Sequence, residues 1–448
     1  MGTSQRTILF LIADTGAGHR SAANAIRNAI LFISQKEQEE WRARHQNNAE
    51  NLDVLAPPTY HLEIVDAFEE YSHFPLRGFI KLYGPTIRYS PNLYGRAFKL
   101  SNRARGVATV QTVSTPLIHK GLLRLITSVR PDVIVSIHPL LNHHTIRALQ
   151  DLNMHIPFIT VVTDLVSLHY SWFAPGADAY VVPTEQAKQL YLKRGLDPER
   201  VHVLGMPIDP KFTLPVESKE SLQHKLGLES GIPVVLLVSG GEGSGLWPTI
   251  QAISKAHLQV QLLIVTGRNK RLYMHLQRIR SSLHVPAKVL GFVQNMPEIM
   301  HASDVIVTKA GPGTISEALA CELPLILNSY LPGQEEGNVS YVLENNVGSI
   351  VYNSIELVDA IRRLVKPGSE VMSQQLENAK RISRPGASFE IADFILSYLP
   401  PTGEPSIWQS PQAHKQLRTR AKRSSGLSAN STHILGGTRL RSNIKRRT

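Results

Sequence analysis

Short apolar runs alternate with helical patterns along most of this chain. The first run, at 7–13, is continuously apolar, which is typical of a strand buried on both faces of a parallel sheet. A helix is predicted at 19–33, and another begins after Thr184, which stands at an N-cap position. Further strands are predicted at 62–65, 133–137, 158–162, 180–182, 201–204, 234–238, 262–265, 289–290, 305–307 and 325–327. Strands that alternate with helices predict an α/β fold built on parallel sheets with helices on both faces.

A glycine loop precedes a helix predicted at 315–322. Gly311 and Gly313 flank a proline, Thr314 stands where an N-cap belongs, and Glu317 completes a capping box three residues on. Such a helix start presents free backbone N–H groups and the positive end of the helix dipole, which attract a phosphate or diphosphate. An ordinary tight turn between strand and helix is the alternative, because glycine loops are common in βαβ units.

A polar loop follows the next strand and carries Gln334, Glu335 and Asn338. Ligands bind at the carboxyl ends of the strands in open α/β sheets. An acidic side chain there accepts hydrogen bonds from the hydroxyl groups of a ribose or a hexose. The alternative is a solvated acidic loop.

Two separated motifs resemble one family. The loop PGQEEGN at 332–338, with the glycine loop before it, and the N-terminal segment ADTGAGHR at 13–20 resemble the monogalactosyldiacylglycerol synthase and processive diacylglycerol glucosyltransferase family, relatives of the MurG-type glycosyltransferases. The resemblance covers about residues 6–400. It implies a GT-B architecture, in which two Rossmann-like domains face a cleft.

The resemblance and the composition together predict the domain layout. An acceptor and membrane-binding domain is expected at 1–210, with an insertion at about 68–117, and a nucleotide-sugar-binding domain at 231–386. A linker at 211–230 joins them, and a helix at 387–400 returns to the first domain. The last segment, 401–448, is expected to be a disordered basic tail.

Charge is concentrated in that tail. The net charge is +12, of which 401–448 carries +9, so that 1–400 carries only +3. We expect the tail to meet anionic membrane lipids. We expect no nucleic acid partner, because no folded motif could present bases to side chains.

Other sequence features bear on location. Cys321 is the only cysteine, which excludes an internal disulfide, and we expect it to be a buried small side chain. The N-terminus shows no signal-peptide pattern, and no apolar run reaches the roughly 18 residues of a membrane span. We therefore expect a peripheral protein on the cytoplasmic side of a membrane.

The expected insertion is rich in aromatic residues with basic neighbours. Rings that enter the headgroup region beside cations that meet phosphates suit a membrane interface. The alternative is a helical subdomain whose aromatic side chains form a core and whose basic side chains lie on the surface.

A glycosyl transfer needs a base for the acceptor hydroxyl. His19 is our candidate, because a helix start disfavours imidazolium and so leaves a neutral imidazole near pH 7. The resemblance implies the same catalytic role, since the family's HR motif supplies the proposed base. Asp14 and Asp164, each at a strand end, are rival bases.

The resemblance also implies most of the binding residues, to which Arg268 and Lys309 are added because either cation could neutralise the charge of the leaving group. The residues expected to bind the donor are Gly240, Gly241, Glu242, Arg268, Lys309, Gly311, Gly313, Thr314, Gln334, Glu335 and Asn338. Those expected on the acceptor side are Gly16, Gly18, Asp164, His169 and Trp172. The chain departs from the family pattern at Ala17, Tyr170 and Ala174, where the family has glycine, proline and histidine.

No metal site is expected. No DxD-type pair stands at a strand end, so we predict catalysis without an essential divalent cation and without a cofactor beyond the UDP-hexose donor. A zinc site at His138, His143 and His144 has neither a cysteine partner nor HExxH spacing to support it.

The resemblance implies a function with two alternatives. It implies an inverting glycosyltransferase that moves galactose or glucose from a UDP-sugar to diacylglycerol at a membrane surface and forms a β-glycosyl diacylglycerol. Transfer of N-acetylglucosamine to a polyprenyl-linked acceptor, as in MurG-type enzymes, is one alternative. A non-catalytic lipid-surface binding protein is the other.

Overall fold

Two parallel six-stranded sheets organise the chain, each at the centre of a Rossmann-like unit. The computed structural model describes residues 5–14, 17–45, 55–82, 84, 86, 90–238 and 246–410. All strand pairs within both sheets are parallel, as the continuous apolar runs predict.

The first unit contains six strands in the order β2-β1-β3-β4-β5-β6. The strands are β1 (Gln5–Ile12), β2 (Thr59–Asp66), β3 (Val133–Ser136), β4 (Phe158–Val161), β5 (Ala179–Val182) and β6 (Val201–Val203). The helices are α1 (Ala17–His45), α2 (Ala67–Tyr71), α3 (Leu76–Lys81), α4 (Pro91–Ser101), α5 (Ala104–Val129), α6 (Pro139–Leu152) and α7 (Glu185–Leu192). The chain places β2 on one side of β1 and β3 on the other, so the switch point of this sheet lies between β1 and β3. Such a switch point opens a crevice outside the carboxyl ends of the strands.

The second unit has the strand order β12-β11-β10-β7-β8-β9. Its strands are β7 (Val234–Val238), β8 (Gln261–Val265), β9 (Ala287–Leu290), β10 (Val305–Lys309), β11 (Leu325–Ser329) and β12 (Gly348–Ile350). Its helices are α8 (Lys219–Lys225), α9 (Leu246–Lys255), α10 (Lys270–Ile279), α11 (Met296–His301), α12 (Pro312–Ala320), α13 (Glu336–Glu344), α14 (Ser354–Val365) and α15 (Glu370–Ile382). The switch point of this sheet lies between β7 and β10, next to the start of α12.

Helix α16 (Ala387–Leu396) follows the second unit but packs on the first. Its Ile391, Ala392 and Ile395 are fully buried in one cluster with Ile8 of β1 and Ile26 of α1. Short 3-10 helices lie at Tyr170–Trp172, Pro198–Arg200, Pro210–Thr213, Arg280–Ser282 and Ile407–Gln409. Within the described part of the chain, no helix is both long and apolar enough to cross a membrane.

Two helix starts test the cap predictions. The side chain of Thr184 accepts a hydrogen bond from the Ala187 backbone N–H, which confirms the cap of α7. The capping box of Thr314 and Glu317 is wrong, because α12 begins at Pro312 and Gly311 is its N-cap, without a side-chain cap. Proline suits the first helical position, since it has no N–H to lose there, and this moves the start upstream.

The disordered tail prediction is wrong for residues 401–410. Trp408 is buried in the core of the first unit, and its Nε1 donates to the Pro131 carbonyl at 2.8 Å. The buried Arg6 donates from Nη2 to the carbonyls of Pro401 and Glu404 at 2.8 and 2.7 Å. An apolar anchor within the polar segment therefore holds it to the sheet, and 411–448 lies outside the described residues.

The described residues of the aromatic insertion include four helices, α2 to α5. Phe68 is buried in the core of the first unit and Tyr71 packs against it, as the subdomain alternative predicts. Phe74, by contrast, has 85% of its surface exposed. The insertion is therefore a packed subdomain with an exposed apolar surface.

Candidate active site

Three histidines gather at the carboxyl ends of the first sheet. His19 lies in the first turn of α1 after β1, His138 follows β3 at the start of α6, and His169 follows β4. The rings of His19 and His138 meet edge to face, with centroids 4.7 Å apart. We call this end of the first sheet, with Thr163 and Asp164, the histidine edge.

His19 is held through its ring nitrogens. Its Nδ1 lies 3.1 Å from Thr163 Oγ1, and the imidazole also hydrogen-bonds to the backbone of Ile137. Burial lowers the pKa of His19 to about 4, against smaller raising effects of the Ile137 bond and the Asp14 carboxylate. The ring is therefore neutral at pH 7, as we expected, with burial as the largest cause.

His138 and His169 are shifted in the same direction. Burial lowers the pKa of His138 well below its usual value, and the nearby His19 and His169 lower it further. Burial also lowers the pKa of His169 to about 4. Histidines so close together cannot all carry charge without repulsion, so the cluster is a neutral set of proton acceptors.

The two carboxylates proposed as rival bases are both engaged. Arg20 Nε and Nη2 donate to Asp14 Oδ1 and Oδ2 at 2.8 and 2.6 Å in a bidentate ion pair. Trp172 Nε1 donates to Asp164 Oδ2 at 2.8 Å, and Gln334 makes a second hydrogen bond to the same carboxyl group. Burial raises the pKa of Asp164 to about 6, with a further contribution from Glu335.

The facing edge of the second sheet is built from glycine and one ion pair. Gly311 caps α12, and Gly313 lies in its first turn, where a Cβ atom would meet no described heavy atom within 4 Å. Lys309, at the end of β10, pairs its Nζ with Glu335 Oε1 at 2.5 Å. We call this end of the second sheet, with the 331–338 loop, the glycine edge.

The 331–338 loop is fastened to β10 by its own polar side chains. Glu335, whose side chain is 4% exposed, accepts from Lys309 through Oε1 and from the Leu331 backbone N–H through Oε2 at 2.8 Å. Asn338 Nδ2 donates to the Ala310 carbonyl at 2.9 Å. These contacts hold Gln334 at the tip of the loop toward the first unit.

Comparison with known proteins identifies the family. Residues 19–208 match the monogalactosyldiacylglycerol (MGDG) synthase family, and residues 235–395 match the glycosyltransferase family 28 C-terminal domain. A probable chloroplastic monogalactosyldiacylglycerol synthase of Glycine max is 33% identical over 419 residues, which cover 89% of this chain and 74% of the relative. The corresponding protein of Nicotiana tabacum is 34% identical over 86% of this chain and 69% of its own length.

The chain belongs to the monogalactosyldiacylglycerol synthase family. It is a glycosyltransferase that depends on a UDP-sugar, which confirms the enzyme class expected from the two motifs. The non-catalytic alternative is therefore wrong.

Solved structures confirm that this chain has the GT-B fold. MurG of Acinetobacter baumannii superposes with a TM-score of 0.54 at 13% identity, over 88% of this chain and 99% of MurG. UDP-GlcNAc 2-epimerase of Neisseria meningitidis, bound to UDP-GlcNAc, gives a TM-score of 0.53 at 14% identity, over 88% of this chain and 100% of the epimerase. At such identity the likeness concerns the fold alone.

The family's expected donor residues are only partly brought together in the described structure. Lys309, Gly311, Gly313, Thr314, Gln334, Glu335 and Asn338 all lie at the glycine edge. Arg268 follows β8, and its guanidinium lies 5.5 Å from the centroid of the Phe292 ring. Gly240, Gly241 and Glu242 lie outside the described residues. Direct contact of any of these residues with a donor stays a prediction.

The expected acceptor residues divide in the same way. Trp172 is fully buried and supports Asp164, so it acts here through packing and one hydrogen bond. His169 Nδ1 and Nε2 lie 2.6 Å from Ser171 Oγ and 3.2 Å from Ser101 Oγ. Gly18 is exposed in the first turn of α1, and Gly16 lies outside the described residues.

Sequence reasoning missed two aromatic residues at the cleft. Tyr94 Oη donates to Gln334 Oε1 at 2.6 Å, and the Phe98 ring packs edge to face on His169, with centroids 5.0 Å apart. Both residues lie on α4, four positions apart and so on one helix face. That spacing was a usable signal, but the resemblance directed attention to a membrane role for these rings.

The described residues contain no group of His, Cys, Asp and Glu side chains suited to hold a metal ion. His144 instead lies 2.9 Å from Ser114 Oγ through Nε2 and 3.3 Å from Thr115 Oγ1 through Nδ1. The zinc alternative has no support here. Independence from divalent cations stays a prediction for experiment.

Proposed function

We propose that this glycosyltransferase moves galactose from UDP-galactose to the sn-3 hydroxyl of diacylglycerol at a membrane surface and forms a β-galactosyl diacylglycerol. One observation carries the proposal. The hydrogen bond between Asp164 and Gln334 joins the histidine edge directly to the glycine edge. A neutral base and an anion-binding helix start thus share one cleft, in a chain whose relatives are named for this reaction.

His19 is the proposed base. Its imidazole takes the proton of the acceptor hydroxyl while the hydroxyl oxygen bonds to C1 of galactose and the bond from C1 to the diphosphate oxygen breaks. Because attack comes from the face opposite the leaving UDP, the α-linked donor gives a β-linked product. A pKa of about 4 leaves the ring neutral but weakly basic, and the charge of a bound diphosphate raises that pKa toward the working range.

The start of α12 is the proposed site of the leaving diphosphate. The backbone N–H groups of Gly313 and Thr314 and the positive end of the helix dipole stabilise negative charge without a metal ion. The ammonium group of Lys309 lies beside Gly311, where a Cβ atom would be 3.6 Å from Lys309 Nζ. Charge that develops on the departing UDP therefore meets both a cation and a helix start.

The insertion is the proposed membrane contact. Large apolar side chains are exposed there, with Leu100 at 70%; among the described residues they are Phe74, Leu82, Leu93, Leu100, Val110 and Val113. Exposed basic side chains lie between them in the sequence, at Arg96, Lys99, Arg103 and Arg105. Apolar side chains that enter a membrane surface beside cations that meet anionic headgroups suit an enzyme whose acceptor resides in the bilayer.

The test is a product assay. The protein is incubated with UDP-galactose or UDP-glucose and diacylglycerol vesicles, with and without anionic lipid, and the product is identified by mass and sugar analysis. We expect a single-hexose glycolipid from UDP-galactose, formed faster when anionic lipid is present. A product from UDP-glucose alone would overturn the sugar assignment. Folded, UDP-binding protein that forms no diacylglycerol product would overturn the acceptor assignment.

A further inference from the structure

Helix α4 of the first unit lies directly against the 331–338 loop of the second unit. A Cβ atom on Gly95 would lie 2.8 Å from Pro332 Cβ, closer than real side chains approach. Gly333, at φ +84°, meets Phe98 in the same way, with 3.0 Å between a built Cβ and the ring. The helix and the loop are thus in contact across the cleft at positions where only glycine fits.

The side chain of Gln334 bridges the two parts of the first unit that face this loop. Tyr94 Oη donates to its Oε1 at 2.6 Å, and its amide also hydrogen-bonds to the carboxyl group of Asp164. A carboxylate accepts hydrogen bonds, so the amide nitrogen points to Asp164 and the amide oxygen points to Tyr94. The two contacts therefore select the same orientation of the amide.

We propose that Tyr94 is a positioning residue for the donor sugar, which fixes the amide of Gln334 so that its nitrogen faces Asp164 and the hexose. The inference rests on the proposed function and on the donor-binding role that the resemblance implies for Gln334, which we assign to the hexose. It means that the nucleotide site belongs to the second unit, whereas the hexose site is completed only by α4 of the first unit.

This arrangement separates the hexose from the nucleotide in a binding experiment. UDP without a hexose has no group for Gln334 to orient, so its affinity does not depend on Tyr94. A neutral hydrogen bond of this kind corresponds to roughly a five-fold change in affinity. An interaction that is equally strong in the ground state and the transition state changes KM and leaves kcat unchanged.

The experiment compares Tyr94→Phe with the wild-type chain. Calorimetric titration gives Kd for UDP and for UDP-galactose, and turnover on mixed vesicles gives KM and kcat. We expect Kd and KM for UDP-galactose to rise roughly five-fold, with Kd for UDP and kcat unchanged. Tyr352→Phe, which removes a hydroxyl from an exposed tyrosine of the second unit, is the matched control.

A double-mutant cycle identifies the partner. Gln334→Ala weakens UDP-galactose binding by itself, and we expect Tyr94→Phe to add nothing in the Gln334→Ala background. Gly95→Ala is a second route to the same effect, since its methyl group displaces Pro332 while alanine favours the helix. It should also weaken UDP-galactose binding and leave UDP binding unchanged.

The outcomes are distinct. Equal loss of UDP and UDP-galactose affinity in Tyr94→Phe, or independent effects in the cycle, would overturn the positioning role. An effect of Gln334→Ala on UDP-galactose without any effect of Tyr94→Phe would overturn it as well, and would leave the proposed donor role of Gln334 intact. No effect of Gln334→Ala on UDP-galactose would overturn that donor role itself.

Discussion

The two facing edges both lie at the carboxyl ends of parallel strands and differ in their electrostatics. The histidine edge holds titratable side chains kept neutral by burial, among them His19 and His169 with pKa values of about 4. The glycine edge holds a helix start and the ion pair of Lys309 with Glu335. Each edge lies at a switch point of its sheet, but the two edges present different charges to the cleft.

This difference suits a transfer reaction in which the base and the leaving group need opposite charges around them. A base must be neutral to accept a proton, and a neighbouring cation would keep its pKa low. The leaving diphosphate needs the reverse, a field of positive charge and N–H groups. With the proposed base on one unit and the proposed diphosphate site on the other, a negative donor bound between them would raise the pKa of His19.

The largest expected effect comes from a substitution at the histidine edge. His19→Ala removes the proposed base, and we expect kcat to fall about 1,000-fold, within the range for lost general base catalysis. Kd for UDP should stay within about two-fold, because the proposed diphosphate site lies on the other edge. His155→Ala, which changes an exposed histidine of the same unit, is the control. A loss of UDP affinity comparable to the loss of kcat would contradict this division.

The next effect concerns the ion pair of the glycine edge. Lys309→Met leaves the Glu335 carboxylate buried without its cation, and we expect the free energy of unfolding to fall by about 4 kcal/mol. Denaturant titration measures it. The double variant Lys309→Met/Glu335→Gln should recover most of the loss, because it buries no unpaired charge. If single and double variants lost equal stability, the ion pair would not be the cause.

A third effect is the acid sensitivity of the first unit. Burial lowers the pKa of His144 from 6.5 to about 4, so between these values the unfolded chain binds the proton and the folded chain does not. The free energy of unfolding therefore falls as pH falls through this window, by about 3 kcal/mol from His144 alone. His144→Gln should show a correspondingly smaller fall in denaturant titrations at pH 6.5 and pH 4. An unchanged pH dependence would contradict the assignment.

The second unit should show the opposite sign. Burial raises the pKa of Glu317 from 4.5 to about 7, so the folded chain holds the proton longer and stability falls as pH rises through that window. Glu317→Gln should remove about 3 kcal/mol of this fall, measured by the same titrations at pH 4.5 and pH 7. A larger fall in the variant would show that the carboxyl group is ionised and paired.

The smallest effect compares two threonines at helix starts. Thr184→Ala removes a real cap of α7 and should cost about 1 kcal/mol. Thr314→Ala removes no cap of α12, and its cost in thermal or denaturant unfolding should stay below about 0.5 kcal/mol. If the two variants lost equal stability, Thr314 would act as a helix cap, contrary to the structure.

Much of the fold could be predicted because strands and helix starts depend on local sequence patterns. The continuous apolar run at the first strand reports burial on both faces, and β7 falls at 234–238 as predicted. His19 could be proposed as the base because a glycine loop and a helix start are adjacent in sequence and the family's HR motif falls there; its role stays a prediction. The start of α12 was misplaced because Thr314 and Pro312 both suit helix starts, and only packing decides between them.

The contacts across the cleft could not be predicted from periodicity. Tyr94 and Gln334 are 240 positions apart, and an amphipathic pattern says which helix face is covered but not what covers it. Glu335 was expected to face a sugar, yet in this structure both its oxygens bind the protein. Partner choice of this kind depends on tertiary geometry, which one sequence does not contain.

The most direct test of the division of labour measures two variants side by side. His19→Ala and Gln334→Ala are assayed for turnover of UDP-galactose on mixed diacylglycerol vesicles, with KM and kcat determined for the donor. The account predicts that His19→Ala loses kcat and keeps KM, whereas Gln334→Ala raises KM and keeps most of kcat. If both variants lost kcat and KM in the same proportion, the two edges would not have separate roles.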